Sequence, residues 1–218
     1  MKKIDFKTLI LTCIFCLAAI FVGLWQYDAL PEQVAIHFDV NNNPNNYFNK
    51  AVFVFGMPIF MVLMQVFVCV TVDLTDKHKE ANKKFTGVAK WLLPVILFAT
   101  YIITIVYNLG VMLDIRVWVF LLLGVMFIVL GNYLPKTVGT HKWPQRTFTE
   151  KVQRRINQIA GYVTVAYGVL FMLSTFFHWL ISLLMIAFYI IFVVALMFYG
   201  WRLDKKERKE MKEKEEKQ

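Results

Sequence analysis

Six long apolar runs alternate with shorter polar segments along the chain. Each run is close to the ~20 residues that a helix needs to cross the hydrocarbon core of a bilayer. The runs cover residues 8–27, 51–72, 91–113, 117–134, 159–177 and 179–200. This pattern predicts an all-α polytopic membrane protein with six transmembrane helices.

The longest polar segment on one side of the predicted membrane lies at residues 28–50. Apolar and polar residues alternate from Val34 to Asp39, which predicts a short, half-buried strand. The asparagine-rich run at 41–46 predicts a turn around Pro44, because asparagine tolerates left-handed backbone and proline presets one dihedral angle. We therefore expect a folded extracytoplasmic loop in an otherwise helical protein.

The same pattern divides the chain into two predicted parts. Residues 1–73 form an N-terminal module of helices one and two with the outer loop 28–50. Residues 74–218 contain helices three to six, a basic cytoplasmic segment at 135–158 and a charged tail at 202–218. Alternating lysine and glutamate in the tail favour a solvated helical extension.

Several residues within the spans carry more specific expectations. Gln65 is strongly polar inside an apolar run, so we expect it to hydrogen-bond a neighbouring helix. Gly161 and Gly168 favour close packing of helix five. Pro94 is expected in the first turn of helix three, where its missing N–H costs little. Only residues 114–116 are left to connect helices three and four.

The distribution of positive charge predicts the orientation. The chain has a formal net charge of +9, and every lysine and arginine except Lys50 and Arg116 falls on one side of the predicted spans. Positive residues concentrate on the cytoplasmic side of membrane proteins. We therefore expect a multi-pass protein of the cell membrane with both termini in the cytoplasm. Because the basic residues lie between apolar spans and in contact with the bilayer surface, direct nucleic-acid binding is not expected.

No residue pattern indicates catalysis, a cofactor or a metal site. The sequence lacks HExxH, GxSxG and phosphate-loop motifs, and Cys13, Cys16 and Cys69 lie inside apolar runs. Ion-coupled transporters generally place ionisable groups within the bilayer, and the middles of the six predicted spans have none. A small transporter or exporter is nevertheless kept as the alternative to a protein that recognises a ligand at the membrane surface.

Two short motifs resemble a known family. The chain has Leu-Pro-Glu at 30–32, His-Phe-Asp at 37–39, an Asn/Pro turn closing on Tyr47, and Gly-Asn-Tyr-Leu-Pro-Lys at 131–136. Their order, with the chain length and helix count, resembles the SdpI-type immunity proteins. These are bacterial membrane proteins that protect against a secreted toxic peptide and are thought to capture a cognate repressor at the membrane.

The resemblance implies two sets of site residues. An extracellular toxic peptide would contact the outer loop, where Asp39 supplies charge, Tyr47 an aromatic ring and Pro44 holds the turn; a cytoplasmic repressor would contact the basic segment. The outer residues are His37, Asp39, Pro44 and Tyr47, and the cytoplasmic residues are Lys136, Trp143, Arg146, Arg154 and Arg155. The order of Trp, Pro and Arg after Lys136 differs from the family pattern, so toxin protection is better supported than repressor capture.

Overall fold

The fold consists of six long helices, a hairpin between the first two, and a short hairpin before the fifth. The computed structural model describes residues 4–75, 79–137, 142–143 and 146–216. In chain order the elements are α1 (Phe6–Trp25), β1 (Gln33–Phe38), β2 (Pro44–Asn49), a π-helical turn (Val52–Gly56), α2 (Met57–Thr75), α3 (Lys79–Asn108), α4 (Ile115–Tyr133), a 3₁₀ turn (Leu134–Lys136), β3 (Lys142–Trp143), β4 (Arg146–Thr147), α5 (Glu150–Ser174) and α6 (Trp179–Glu215).

Six helical segments are long and apolar enough to cross a membrane, which confirms the predicted fold class. They are Phe6–Trp25, Val52–Thr75, Ala81–Asn108, Ile115–Lys136, Glu150–Ser174 and Trp179–Glu215. Large apolar side chains are exposed along these segments, for example Phe21, Phe67 and Ile191. Exposed apolar area of this extent is stable only against lipid or another apolar surface. The protein is therefore a multi-pass membrane protein.

The chain separates into two compact units. The first comprises Met1–Thr75 and Gly87–Leu122, and the second comprises Asp76–Thr86 and Leu123–Gln218. The boundaries between these units fall inside α3 and α4 as well as after α2. The predicted division of the chain into residues 1–73 and 74–218 is not tested by these units and stays a prediction.

The core of the first unit joins the hairpin of β1 and β2, named the outer hairpin after its predicted side of the membrane, to the helices. Val34, on β1, is fully buried in a cluster with Phe53, Val54 and Tyr101. The rings of Phe53 and Tyr101 stack at 4.8 Å between centroids, an arrangement that adds to the apolar burial. The apolar face of the predicted strand therefore anchors the hairpin on the helices.

Helix α3 differs from its prediction. It begins at Lys79 and ends at Asn108, whereas the predicted span ran from 91 to 113, so Pro94 lies well inside the helix. Proline has no N–H for the carbonyl four residues earlier, which here belongs to Lys90. Gln65 Nε2 on α2 donates to that carbonyl at 2.8 Å and to Thr12 Oγ1 on α1 at 2.8 Å. The interhelical hydrogen bond predicted for Gln65 is thus confirmed, and it satisfies an acceptor that Pro94 leaves open.

The second unit is organised by a close crossing of α4 and α5. A Cβ added to Gly168 would lie 2.7 Å from the carbonyl oxygen of Gly124, and one added to Gly131 would lie 2.8 Å from that of Gly161. Backbones can approach this closely only where side chains are absent. The close packing predicted for Gly161 and Gly168 is confirmed, and the helix that meets them is α4.

Helix α6 continues without interruption into the charged tail. It extends to Glu215, and Lys206–Glu210 and Lys209–Glu213 form ion pairs four residues apart at 3.9 and 3.7 Å. Exposed pairs of this type stabilise a helix by only about 0.3–0.5 kcal/mol each. The helical extension predicted for the tail is confirmed over the described residues.

Candidate functional site: the outer hairpin and two polar clusters

The outer hairpin is built on a turn held by Asp39. Its Oδ1 accepts hydrogen bonds from the backbone N–H groups of Asn41 and Asn43, at 2.9 and 2.8 Å, and Asn42 has a positive φ of 65°. The hydrogen bond from the Asn43 backbone is the main cause of a lowered pKa of the Asp39 carboxyl. Asp39 is therefore ionised near neutral pH, and its charge stabilises the turn.

Pro44 does not hold the turn, contrary to its predicted role. It is the first residue of β2, where its backbone pairs with Phe38. Proline cannot donate an N–H to the ladder, so within a strand it is tolerated at the first position. Asn45 and Asn46 also belong to β2 rather than to the turn. The turn is shorter than predicted because the Asp39 carboxylate closes it within Asn41–Asn43.

His37 and Tyr47 lie on opposite strands of this hairpin. His37 Nδ1 is 2.6 Å from Asn45 Oδ1, and His37 is exposed. The Tyr47 hydroxyl donates to the Pro44 carbonyl at 3.4 Å, and the residue is 46% exposed. The four residues predicted for the outer site therefore share one small element, and a ligand-binding role for them stays a prediction.

Two asparagine side chains fix the hairpin to the helices of the first unit. Asn108, the last residue of α3, accepts from the N–H of Ala35 at 2.8 Å and donates to the carbonyl of Ala35 at 3.0 Å. Asn42 donates to the carbonyl of Leu113 at 2.8 Å and accepts from the N–H of Ile115 at 2.9 Å. The α3–α4 connection is longer than the predicted 114–116, because it runs from residue 109 to 114, and it supports the outer hairpin.

The base of the hairpin is closed by an ion pair. Lys50 Nζ lies 2.8 Å from Glu32 Oε1 and 4.9 Å from the centre of the Tyr27 ring. The hydrogen bond to Glu32 raises the pKa of Lys50. Lys50 is thus positively charged in place, where it offsets one of the three carboxylates between α1 and α2, at Asp28, Glu32 and Asp39.

The residues predicted for the cytoplasmic site are spread over several elements. Trp143 and Arg146 pair with each other across the two-residue strands β3 and β4. Lys136 Nζ lies 5.6 Å from the centre of the Tyr133 ring. Arg154 forms an ion pair with Glu150 at 2.6 Å, and the Arg155 guanidinium lies 5.9 Å from the Tyr199 ring.

Arg154 and Arg155 line an open groove of about 920 Å³ in the second unit. Thr149, at the start of α5, donates from its backbone N–H to Asp204 Oδ1 at 2.7 Å. Four cations and two carboxylates contribute to the lining. The lining residues are Thr149, Glu150, Lys151, Arg154, Arg155, Gln158, Glu207, Arg208 and Met211.

A buried ion pair in the first unit, with a third and half-exposed carboxylate beside it, was missed by sequence reasoning. Lys90 Nζ lies 2.7 Å from Asp73 Oδ1 and 3.9 Å from Asp5 Oδ2. Lys90 and Asp73 are only 3% and 7% exposed. Asp73 directly follows the apolar run 51–72 and Lys90 directly precedes the run 91–113, so the sequence placed both at the ends of predicted spans without bringing them together. Asp5 caps α1 as well, since its Oδ1 accepts from the backbone N–H of Thr8 at 3.1 Å. Its Oδ2 accepts from Thr8 Oγ1 at 2.6 Å, and this second hydrogen bond is the main cause of the lowered pKa of Asp5.

No described group of three or more histidine, cysteine, aspartate or glutamate side chains is arranged to bind a metal ion. Within the described part of the chain, Gln65 Oε1 and Asn157 Oδ1 are buried without a hydrogen-bond partner. The Asn157 amide nitrogen, by contrast, donates to the Thr137 carbonyl at 2.7 Å. That bond fixes the chain after α4 to α5 and so positions the start of the basic segment.

Part of the chain matches the model of a known protein family. Residues 14–62 match the model of the family DUF1648, a domain of unknown function that is found in membrane proteins. The matched region extends from the middle of α1 through the outer hairpin to the first turns of α2. No curated protein and no solved structure matches the chain.

Proposed function

We propose that the protein is a non-enzymatic membrane protein of the SdpI type that protects the cell against an extracellular membrane-active peptide. The observation that supports this is the outer hairpin, which is folded, fixed by Asn42 and Asn108, and exposed along the whole of β2 after Pro44. Loops held on rigid elements are the usual place for recognition residues. The motifs at 30–39 and 131–136 support the immunity role through their resemblance to that family.

Protection is tested by expressing the protein in a host that is sensitive to membrane-active peptides. We expect the tolerated peptide concentration to rise without loss of peptide from the medium. His37→Ala and Tyr47→Ala should each reduce protection several-fold at unchanged membrane abundance. At Asp39 the substitution is Asp39→Asn rather than alanine, because asparagine removes the charge and retains an oxygen that accepts the turn hydrogen bonds. Full protection by all three variants would show that the hairpin is only a scaffold.

Orientation is part of the proposal, with both termini in the cytoplasm and the hairpin outside. Cysteines added by Asn41→Cys in the turn and Lys212→Cys in the tail should differ in reactivity toward a membrane-impermeant maleimide, with the parent protein and its own Cys13, Cys16 and Cys69 as the background. In intact cells we expect labelling of the first and not of the second, with both labelled after lysis. Labelling of Lys212→Cys in intact cells would reverse the orientation.

A second candidate function is supported by the cluster of Asp5, Asp73 and Lys90. Ionisable groups held inside membrane proteins often belong to ion or substrate pathways, and Gln65 Oε1 adds a buried acceptor without a partner among the described residues. A small transporter or exporter would show energy-dependent movement of a substrate across vesicle membranes. Protection that depends on such movement would favour this alternative over immunity by recognition.

Repressor capture remains the less supported part of the proposal. The basic groove lined by Arg154 and Arg155 offers cationic groups to an acidic cytoplasmic partner. Contact of the same cations with anionic lipid is the competing interpretation.

A further inference from the structure

The two edges of the outer hairpin differ in what binds to their backbone groups. On β1, the Asn108 side chain engages both backbone groups of Ala35, so it occupies that edge as a neighbouring strand would. On β2, no further strand is paired along the described residues, since the sheet contains β1 and β2 alone. One edge is therefore closed by a side-chain amide and the other is open.

The register shows which backbone groups of β2 point away from β1. Ala35 directs its N–H and carbonyl toward Asn108, away from β2, and its partner on β2 is Tyr47. Along an antiparallel ladder, pairs of opposite residues that hydrogen-bond each other alternate with pairs that do not. The residues of a pair without mutual hydrogen bonds direct their N–H and carbonyl groups away from the partner strand. The backbone groups of Tyr47 and Asn49 therefore point outward, and the hydrogen bond from Lys50 N–H to the Glu32 carbonyl at 3.0 Å fits the same alternation.

The outward N–H of Tyr47 already donates to Asn46 Oδ1 at 2.9 Å, and the Asn49 carbonyl stands at the start of the helix that begins at Lys50, where it accepts the first intrahelical hydrogen bond. The Tyr47 carbonyl and the Asn49 N–H are therefore the outward groups that a further strand can bind.

Open strand edges in native proteins are generally blocked by proline, charge or a bulge. The first irregularity of this hairpin places an extra residue, Ile36, on β1, and the second places an extra residue, Asn45, on β2. Both lie before Tyr47, and Pro44 occupies only the start of β2. The stretch from Tyr47 to Asn49 has neither proline nor charge. It exposes Tyr47 and Phe48, at 46% and 36%. This part of the edge is accessible to a further strand.

The charge around the β2 edge favours an added strand of positive charge. Between α1 and α2 the chain has three carboxylates and one lysine, and Lys50 is paired with Glu32. Asp28 and Asp39 leave the outer hairpin negative in a chain whose net charge is +9. A positively charged segment would be attracted to this surface, whereas a second copy of the same hairpin would be repelled by it.

We propose that the outer edge of β2 binds an extended cationic peptide by strand addition, through the Tyr47 carbonyl and the Asn49 N–H. This deepens the proposed function and rests on it for the peptide's biological role. Strand addition derives affinity from main-chain hydrogen bonds and selectivity from alternate side chains. The outward rings and the negative charge would then favour peptides with alternating apolar and basic residues.

Binding is tested with a synthetic peptide of alternating lysine and valine and with purified protein in phosphatidylcholine nanodiscs. Empty nanodiscs give the background. The matched peptide is the same sequence N-methylated on every residue, which retains charge and side chains but removes the N–H groups of both edges. We expect the N-methylated peptide to bind about tenfold more weakly, because its hydrogen bond to the Tyr47 carbonyl is lost.

A protein variant provides the reciprocal test. Asn49→Pro removes an outward N–H without removing a hydrogen bond to β1, and Asn49→Ala removes the side chain while retaining the N–H. We expect roughly tenfold weaker binding for Asn49→Pro and near wild-type binding for Asn49→Ala. The N-methylated peptide tests the same point on the unaltered protein if Asn49→Pro does not fold.

Three results would overturn the proposal: equal binding of both peptides, equal binding of a peptide with the same composition in a helical period, or cross-linking of β2 to β2 of a second copy. These outcomes are separate from the protection assay. Binding with the expected N-methyl effect, but without protection in cells, would leave the strand-addition site intact and reject the immunity role.

Discussion

Lys90→Met is expected to lower the stability of the folded protein by about 3–5 kcal/mol, because it leaves the buried Asp73 carboxylate without its cation. Asp73 is 7% exposed and lies 2.7 Å from Lys90. A buried charge that loses its partner costs far more than an exposed one, since neither water nor a second cation replaces the lost interaction. Unfolding in a mixed detergent system, followed by tryptophan fluorescence, would measure the loss.

Two variants separate this effect from a general loss of positive charge. Lys84→Met removes an exposed lysine from the same helix and should change stability by less than about 0.5 kcal/mol. The double variant Lys90→Met with Asp73→Asn should recover much of the loss, because replacing both members of a buried pair is often close to neutral. A double variant as unstable as Lys90→Met alone would show that the ion pair is not the cause.

Gly168→Ala is expected to destabilise the protein by roughly 1–3 kcal/mol, the usual cost of overpacking a filled interface. A Cβ at this position would lie 2.7 Å from the Gly124 carbonyl oxygen and 2.9 Å from the Ile128 backbone nitrogen. Both are backbone atoms, so the strain is relieved only if α4 and α5 move apart. The same unfolding measurement would detect the change.

Gly87→Ala is the matched control for this prediction. It makes the same chemical change within α3, where an added Cβ would meet no atom within 4 Å. Alanine is favoured over glycine in a helix interior by about 0.8–1.0 kcal/mol, so this variant should be neutral or more stable than the parent. Similar changes for Gly87→Ala and Gly168→Ala would mean that the α4–α5 crossing is not tightly packed.

Local sequence patterns predicted the features that depend on neighbouring residues. The period-two alternation after Pro31 identified β1, because a strand places successive side chains on opposite faces. The mixed charges of the tail predicted the continuation of α6 for the same local reason. The predicted start of α3 was wrong, because Lys83, Lys84 and Lys90 lie before the apolar run and were left outside the predicted helix. The helix nevertheless extends through them to Lys79.

The candidate site was predicted only in part. The outer hairpin was located from its strand and turn signals, yet its closure by Asp39 and its attachment through Asn42 and Asn108 were not. Asn42 and Asn108 bond to residues about seventy positions away. Sequence spacing has no bearing on such contacts, because they form only when the hairpin and the ends of α3 and α4 are brought together.

The sequence by itself determined the six apolar spans, the strand at Gln33–Phe38 and the polar character of the outer hairpin. These follow from the length, period and polarity of neighbouring residues, which act before any tertiary contact forms. Only the tertiary structure decided that Lys90 is buried against Asp73, that Gln65 satisfies the carbonyl opened by Pro94, and that one edge of the hairpin is closed while the other is open. Each of these depends on a partner far away in the chain, and burial makes that partner necessary because lipid and the protein interior supply no water to replace it.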